Sequence, residues 1–160
     1  MIKNETAIND FVSKEIRKAN ETRGLWYYML IKSAAKHGLD PEKFARGAIR
    51  KLGQYNRRHY PDTDSVAEFI GAFMAEHTIK QFHANLVSLT DDEAIVHFHY
   101  CPMSGAWIKL TDDEEFIGLI CDCAMDVDRG IFDLYDHIGF ELLEAVAKGD
   151  DVCKLRFYKK

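Results

Sequence analysis

Several features are scarce or missing in this 160-residue sequence. Lys and Arg number 21 against 26 Asp and Glu, a formal net charge of -5, so there is little material for the basic patch of a nucleic-acid-binding protein. No apolar run approaches the ~20 residues of a membrane-spanning helix. No Gly/Ser linker, charge block or repeat divides the chain. These absences predict a single domain over residues 1–160 that binds neither nucleic acid nor membrane.

Cysteines are also few, and the N-terminus shows no secretory signal. The opening residues, MIKNETAINDFVSKEIRK, lack the unbroken apolar stretch of a signal peptide. We therefore expect a cytoplasmic protein whose four cysteines are reduced. Cys121 and Cys123 fall on different faces of one predicted helix, which argues against a disulfide between them. Hydrophobic residues make up 47% of the chain, enough for a globular core.

The first half of the sequence has the apolar periodicity of helices. Gly38 is a predicted C-cap, Pro41 after Asp40 marks a predicted helix start, and Ser65 or Asp64 is a predicted N-cap. The predicted helices span residues 7–19, 25–37, 41 to 52 or 55, and 66–76.

The second half mixes strand and helix patterns. Residues 80–89 and 94–101 alternate with a period of two around the turn TDDE, which predicts an antiparallel hairpin. Thr111 is a predicted N-cap and Gly130 a predicted helix terminator. Helices are predicted over 111–130 and 131–147, and a last strand, joining the hairpin, over 152–158. The sequence thus predicts an α+β fold: N-terminal helices packed with a small antiparallel sheet and C-terminal helices.

One stretch, VHFHYCPMSGAW over 96–107, places two histidines and a cysteine at alternate positions. Side chains two apart share one face of a strand, so His97, His99 and Cys101 are expected to point together. Three interpretations remain open. The set suits ligands of a divalent metal such as zinc, or a thiol nucleophile with a histidine base. The third is structural: solvent-facing histidines beside a cysteine packed as a small hydrophobe.

A second stretch, CDCAMDVDRG over 121–130, sets carboxylates near a predicted helix end. The helix dipole disfavours negative charge there, so the presence of Asp126 and Asp128 at this position requires an explanation. Asp128 is either a general base or substrate contact, or the partner of an ion pair with Arg129 or another basic residue. Cys121 is expected to be buried or to face a cleft shared with Asp128, and Asp122 to face solvent.

A third stretch, KGDDVCKLRF over 148–157, contains the last cysteine. Cys153 enters the final strand with Leu155 and Phe157 on its own face. That face is apolar, so Cys153 is either part of the core or lines a pocket near the other thiols.

Taken in order, the segments HFHYCPMSGAW, LICDCAMDVDRGI and AKGDDVCKLRF resemble the L-2-amino-thiazoline-4-carboxylic acid hydrolase family of bacteria. The resemblance is clearest in the C-terminal part of the chain and weaker in the helical first half. The Gly-Asp-x-x-Cys ending, from Gly149 to Cys153, is also similar to the four-vinyl-reductase domains used as effector-sensing modules.

The family resemblance implies a hydrolase that acts on a C–N bond of a cyclic amidine. Its named activity opens 2-amino-thiazoline-4-carboxylate with water to give N-carbamoyl-cysteine, which requires a nucleophile, a proton donor and a group that binds the carboxylate. We expect Cys101 as nucleophile, His99 or His97 as base, and Asp128 at the amidinium. The other predicted site residues are Cys121 as catalytic and Arg129, Asp126, Trp107 and Cys153 as substrate-binding.

Two alternatives concern the metal and the function. A divalent metal held by His97, His99 and Cys101 would supply a bound water as nucleophile. A non-catalytic small-molecule-binding or sensory module of four-vinyl-reductase type would have to signal through a partner, because no DNA-binding or ATPase segment accompanies it. The third possibility is a structural or metal-binding protein that catalyses no reaction. The sequence leaves the need for a cofactor open and allows a homo-oligomer.

Overall fold

Seven α-helices and four β-strands make up the fold. The computed structural model describes all residues from Met1 to Lys160. The bounds are α1 Phe11–Lys36, α2 Pro41–Asn56, α3 Val66–Phe73, α4 Glu76–Phe82, β1 Ala84–Leu89, β2 Glu93–Phe98, α5 Pro102–Trp107, α6 Glu114–Ala124, α7 Asp126–Phe132, β3 Ile138–Glu144 and β4 Cys153–Lys159, with 3-10 turns at Arg57–His59 and Val146–Lys148.

The helix signals predicted in the first half mark actual helix ends. The Asp40 side chain accepts hydrogen bonds from two backbone N–H groups of the first turn of α2, and Pro41 occupies its first position. Ser65 caps α3 in the same way. Gly38 follows α1 at a φ of +77°, a left-handed conformation that glycine adopts without steric cost.

The two helices predicted over 7–19 and 25–37 are in fact one continuous helix, α1. Gly24 in its middle is buried, and a Cβ added there would lie 3.1 Å from Met103 Cα. A glycine ordinarily weakens a helix, but here it allows α5 to pack closely on α1. The Trp107 Nε1–H also donates to the Gly24 carbonyl at 2.9 Å. Tertiary packing therefore continues the helix through the predicted gap.

The four strands form one antiparallel sheet in the order β1-β2-β4-β3. The predicted hairpin is confirmed: β1 and β2 pair across the turn, with Ala84 opposite Phe98. The last strand joins this sheet as predicted, with Leu155 of β4 opposite Val96 of β2. The segment 80–83, predicted to be strand, instead completes α4 and the turn after it.

Strand β3 was not predicted, and the helix expected over 131–147 is wrong. Only the residues up to Phe132 are helical, and Ile138–Glu144 pairs with β4. A short apolar run such as IGFELL fits a helix or a strand equally well. The free edge of β4 supplies backbone hydrogen-bond partners, which decides in favour of the strand.

The helix predicted over 111–130 is interrupted. Its N-cap is Asp113, not Thr111, because the Asp113 carboxylate accepts from the Phe116 N–H at 2.9 Å. The helix ends at Ala124 and α7 begins at Asp126. Gly130, the predicted terminator, lies inside α7.

The sheet is apolar on one face and polar on the other. Leu155 and Phe157 are fully buried, and the Phe73 ring of α3 lies 4.9 Å from the Phe157 ring, centroid to centroid. The opposite face carries His97 and the guanidinium of Arg156, which forms ion pairs with two glutamates. None of the helices combines the length and the apolar character needed to cross a membrane.

Replacing Gly53 with Ala is expected to destabilise the fold by at least about 2 kcal/mol. A Cβ there would lie 2.0 Å from the Val127 carbonyl oxygen of α7, and a backbone atom cannot move aside as a flexible side chain can. Gly47→Ala, in the same helix α2, is the matched control, because nothing lies within 4 Å of its added Cβ. It is expected to stabilise by about 0.5–1 kcal/mol through helix propensity. Urea unfolding of both variants measures the difference, and equal stabilities would contradict the close approach of α2 and α7.

Candidate functional site

A cavity of about 310 Å³ lies between the inner face of the sheet and the surrounding helices. This volume is at the lower end of the range for small-molecule sites, about 300–1,000 Å³. Fifteen of its 21 lining residues are hydrophobic. Its reactive and charged groups include the thiols of Cys101, Cys121 and Cys153, the carboxyl of Asp128 and the guanidinium of Arg23.

Three separate elements bring the thiols to this cavity. Cys101 lies between β2 and α5, where Pro102 begins the helix, while Cys121 lies in α6 and Cys153 begins β4. The Asn4 side chain fixes the Cys101 backbone, donating to its carbonyl and accepting from its N–H, both at 2.8 Å. All four cysteines are free. The structure thus brings these three thiols to one cavity, as predicted, with no disulfide bond between them.

Burial keeps two of the cavity thiols protonated. Desolvation raises the pKa of Cys121 well above that of a free thiol and the pKa of Cys153 to about 12. The Val146 N–H donates to Cys153 Sγ at 3.4 Å. Cys101 keeps partial solvent exposure, so it is the cavity thiol best placed to react. Cys123 is buried and does not line the cavity, as predicted.

Asp128 faces the cavity with no ion pair and no side-chain hydrogen bond to another residue. Its side chain keeps some accessible surface because it lines the cavity. The surrounding protein nevertheless removes most of its hydration, and this burial raises the pKa of Asp128 to about 7. The ion pair with Arg129, one of its two predicted interpretations, does not form. A carboxyl that titrates near neutral pH can both accept and donate a proton.

Asp126 and Asp128 lie at the start of a helix, not at its end as predicted. Because α6 stops at Ala124 and α7 begins at Asp126, the dipole of α7 favours both carboxylates. The Asp126 side chain is almost fully buried, and its carboxylate lies 2.8 Å from an Arg129 nitrogen and 3.4 Å from an Arg46 nitrogen. These ion pairs offset the free-energy cost of burying the Asp126 charge.

The predicted substrate contacts of Arg129 and Asp126 are not at the cavity. Both residues belong to an ion-pair network that ties α6 and α7 to α2, in which Arg129 and Arg46 also bind Asp122 at 2.8 and 2.6 Å. Desolvation opposes ionisation of Asp122, but the hydrogen bonds from the two arginines prevail and lower its pKa to about 2. Asp122, predicted to face solvent, is half-buried in this network. Both terminal nitrogens of Arg129 donate within this network, and neither Arg129 nor Asp126 lines the cavity.

The histidines predicted to face Cys101 lie elsewhere. Strand β2 ends at Phe98, so the alternation of faces does not continue to Cys101, which turns towards the cavity. The His99 Nε2 pairs with Asn85 Oδ1 at 2.6 Å on the outer side of the sheet, and neither His97 nor His99 lines the cavity. No group of three or more His, Cys, Asp or Glu side chains is arranged to hold a metal ion. The predicted ligand set of His97, His99 and Cys101 is therefore not assembled.

Trp107 and Arg23 are two further residues that line the cavity. Trp107, predicted to contact substrate, is buried and lines the cavity with its indole N–H already bonded to α1. Arg23 was missed by the sequence reasoning. It is exposed and forms no ion pair; its one side-chain hydrogen bond is to Met103 Sδ at 3.7 Å. No local signal distinguishes Arg23, because only the packing of α1 on α5 brings it to the cavity.

Asp128→Asn is expected to stabilise the fold above pH 7. Raising the pKa of Asp128 from 3.8 to about 7 corresponds to about 4 kcal/mol as an upper bound. Because the folded state holds its proton more tightly than the unfolded state, the wild-type protein loses this stability as pH rises from about 4 to about 7. Urea unfolding should give a lower free energy of unfolding at pH 8 than at pH 5 for wild type and for Asp91→Asn, a control variant in an exposed turn. This difference should be smaller in Asp128→Asn. An unaltered pH dependence in Asp128→Asn would contradict the desolvation of this carboxyl.

The fold and the site together define an α+β protein with three thiols and an unpaired carboxyl around one cavity. The family model of L-2-amino-thiazoline-4-carboxylic acid hydrolase matches residues 17–157. The chain therefore belongs to this family, which confirms the predicted resemblance, and the family name supports a hydrolase function.

No curated protein matches the sequence. Among solved structures, the chain is similar to a trafficking protein particle complex subunit 3 from Naegleria fowleri covalently bound to palmitic acid, at 14% identity and a TM-score of 0.44, over 93% of this chain and 80% of that one.

Proposed function

We propose that the protein hydrolyses a small cyclic amidine, such as 2-amino-thiazoline-4-carboxylate, in the cavity lined by Cys101 and Asp128. Membership of the family supports a hydrolase. The observation that carries the proposal is an unpaired carboxyl, Asp128, with a pKa of about 7, lining one cavity with three thiols. Perturbed ionisation in a cleft is typical of catalytic groups.

The bond that breaks in this reaction is the ring C–S bond. In N-carbamoyl-cysteine both substrate nitrogens remain on the former amidine carbon, which has gained the oxygen of water, and the ring sulfur has become a thiol. One proton of the water ends on that sulfur and the other on the former ring nitrogen. The proposal thus replaces the predicted C–N cleavage, because no nitrogen leaves.

Cys101 and Asp128 divide the chemistry between them. The Cys101 sulfur adds to the amidine carbon while the Asp128 carboxylate accepts its proton. The ring C–S bond then breaks, and Asp128 returns the proton to the departing sulfur. In the second half, Asp128 accepts one proton from the attacking water and passes it to the departing Cys101 sulfur, which leaves as a thiol. The other proton of the water moves to the former ring nitrogen as the ureido C=O forms. Asp128 therefore takes the role that the sequence assigned to His99 or His97.

Arg23 supplies the cation for the substrate carboxylate. Its guanidinium has no carboxylate partner in the protein, in contrast to Arg129, for which this role was predicted. A planar guanidinium binds a carboxylate through two parallel hydrogen bonds. Cys121, Cys153 and Trp107 form neutral walls that exclude water, which strengthens the attraction between the amidinium and Asp128.

Incubation of the protein with 2-amino-thiazoline-4-carboxylate tests the proposal. The substrate has no free thiol and the product has one, so a thiol reagent follows the reaction and mass spectrometry identifies N-carbamoyl-cysteine. Heat-denatured protein corrects for the four protein thiols. We expect turnover by the wild-type protein and a value of kcat/KM at least about 100-fold lower in Asp128→Asn. An absence of product at saturating substrate would contradict hydrolysis of this compound.

A non-catalytic small-molecule-binding module is the second candidate. The observation that favours it is the predominantly hydrophobic cavity wall, which suits retention of a ligand as well as catalysis. Saturable binding of the thiazoline without conversion would support this candidate in place of the hydrolase.

A further inference from the structure

A second pocket, of about 210 Å³, is lined in part by Tyr100 and shares none of its lining residues with the thiol cavity. We define the cationic pocket by its lining residues: Thr6, Asn9, Lys14, Arg17, Lys18, Glu21 and Tyr100. Six of these seven are polar or charged. Three are basic residues of α1 at helical spacing, which places their side chains on one face.

Arg17 is the unusual member of the cationic pocket. It is only 5% exposed, and its Nη2 has no hydrogen-bond partner. Its other nitrogens donate to the carbonyls of Ile8 and Gln81, and its guanidinium lies 4.9 Å from the Tyr100 ring centroid. No carboxylate forms an ion pair with it. A buried charge without a counter-ion is costly, so this arrangement points to an anion from outside the chain.

The acidic groups near Arg17 are already engaged. Asp10 caps α1 by accepting from the Ser13 N–H and hydroxyl. Glu21 accepts from the Tyr100 hydroxyl at 3.0 Å and from Lys109 Nζ at 2.9 Å.

The lysines of the cationic pocket are available to a ligand. Lys14 and Lys18 are exposed and are absent from the ion pairs that other lysines form. Three cations against the one carboxylate of Glu21 leave an excess of two positive charges in the lining.

We propose that the cationic pocket binds a phosphate group, with the Arg17 guanidinium and the Lys14 and Lys18 ammonium groups as its donors. A phosphate monoester carries about −1.5 to −2 charges at neutral pH and three acceptor oxygens, which matches the excess charge and the number of cationic donors. The site is independent of the proposed hydrolysis. The phosphate belongs either to a soluble compound or to a lipid headgroup, which share this chemistry.

Titration of the full chain with inorganic phosphate at low salt, followed by calorimetry and by the melting temperature, tests the site. We expect saturable binding and a rise in melting temperature with phosphate concentration, with no such rise in sodium chloride of equal ionic strength. Lys14→Gln/Lys18→Gln should weaken binding at least 10-fold. The control Lys36→Gln/Lys51→Gln removes the same charge from exposed lysines outside the pocket and should bind as wild type does.

Two further measurements sharpen the test. Arg17→Lys keeps the charge but loses the planar fork, so its phosphate affinity should also fall if it remains folded. Sedimentation with phosphatidylcholine vesicles, with and without phosphatidic acid, distinguishes the two sources: binding only to the acidic vesicles, lost in the lysine double variant, identifies a lipid headgroup. No saturable phosphate binding, or equal weakening in both double variants, would overturn the proposal.

Discussion

Asp128→Asn is expected to lower kcat/KM for 2-amino-thiazoline-4-carboxylate by about 100-fold or more, the scale on which a general acid–base group contributes. The amide keeps the shape of the carboxyl but can neither accept the proton of Cys101 nor return it to the ring sulfur. Asp91→Asn makes the same chemical change in an exposed turn and should retain full activity. Retention of activity by Asp128→Asn would remove this carboxyl from the mechanism.

The pH dependence separates a catalytic role from a structural one. Burial raises the pKa of Asp128 to about 7, and the first step needs the ionised form. For wild type, kcat/KM should therefore rise with pH through about 7 and then level off. The Asn variant should lack this step while being the more stable protein at pH 8. A group that costs stability and supplies activity is expected at a catalytic site.

Local sequence signals predicted the elements whose ends are marked by caps or turns. Asp40 with Pro41, Ser65 and the TDDE turn each fix a boundary through hydrogen bonds within a few residues. Strand β3 lacks such a signal, since its apolar run suits a helix equally well and only the edge of β4 decides. The close approach of α7 to α2 at Gly130 and Gly53 likewise joins residues that are far apart in the sequence.

The site residues that lie within sequence motifs could be predicted, whereas those that only the fold brings to the cavity could not. The resemblance singled out Cys101, Cys121 and Cys153, and the structure brings all three to one cavity. The inference that His99 accompanies Cys101 assumed a strand running on to the cysteine, but β2 ends at Phe98. Arg23 lies in α1, distant in sequence from every motif, so no spacing rule could find it.

The other large effect is expected for Cys101→Ser, which should lower kcat by at least about 1,000-fold, as loss of a nucleophile does in other hydrolases. A serine hydroxyl is a far weaker nucleophile than a thiolate at neutral pH. The fold should persist, because Asn4 binds only the Cys101 backbone and the side chain is half-buried.

Cys123→Ser is the matched control, because Cys123 is buried outside the cavity. It places a hydroxyl in an apolar position and should cost about 1–3 kcal/mol of stability, while turnover per folded molecule stays at the wild-type level. Stopped reactions should also show Cys101 carrying the ring-opened substrate as an added mass on the intact protein, absent from Cys101→Ser. Full turnover by Cys101→Ser would eliminate the thiol as nucleophile. Loss of turnover without any adduct in wild type would instead assign the attack to a water activated by Asp128, with Cys101 positioning it.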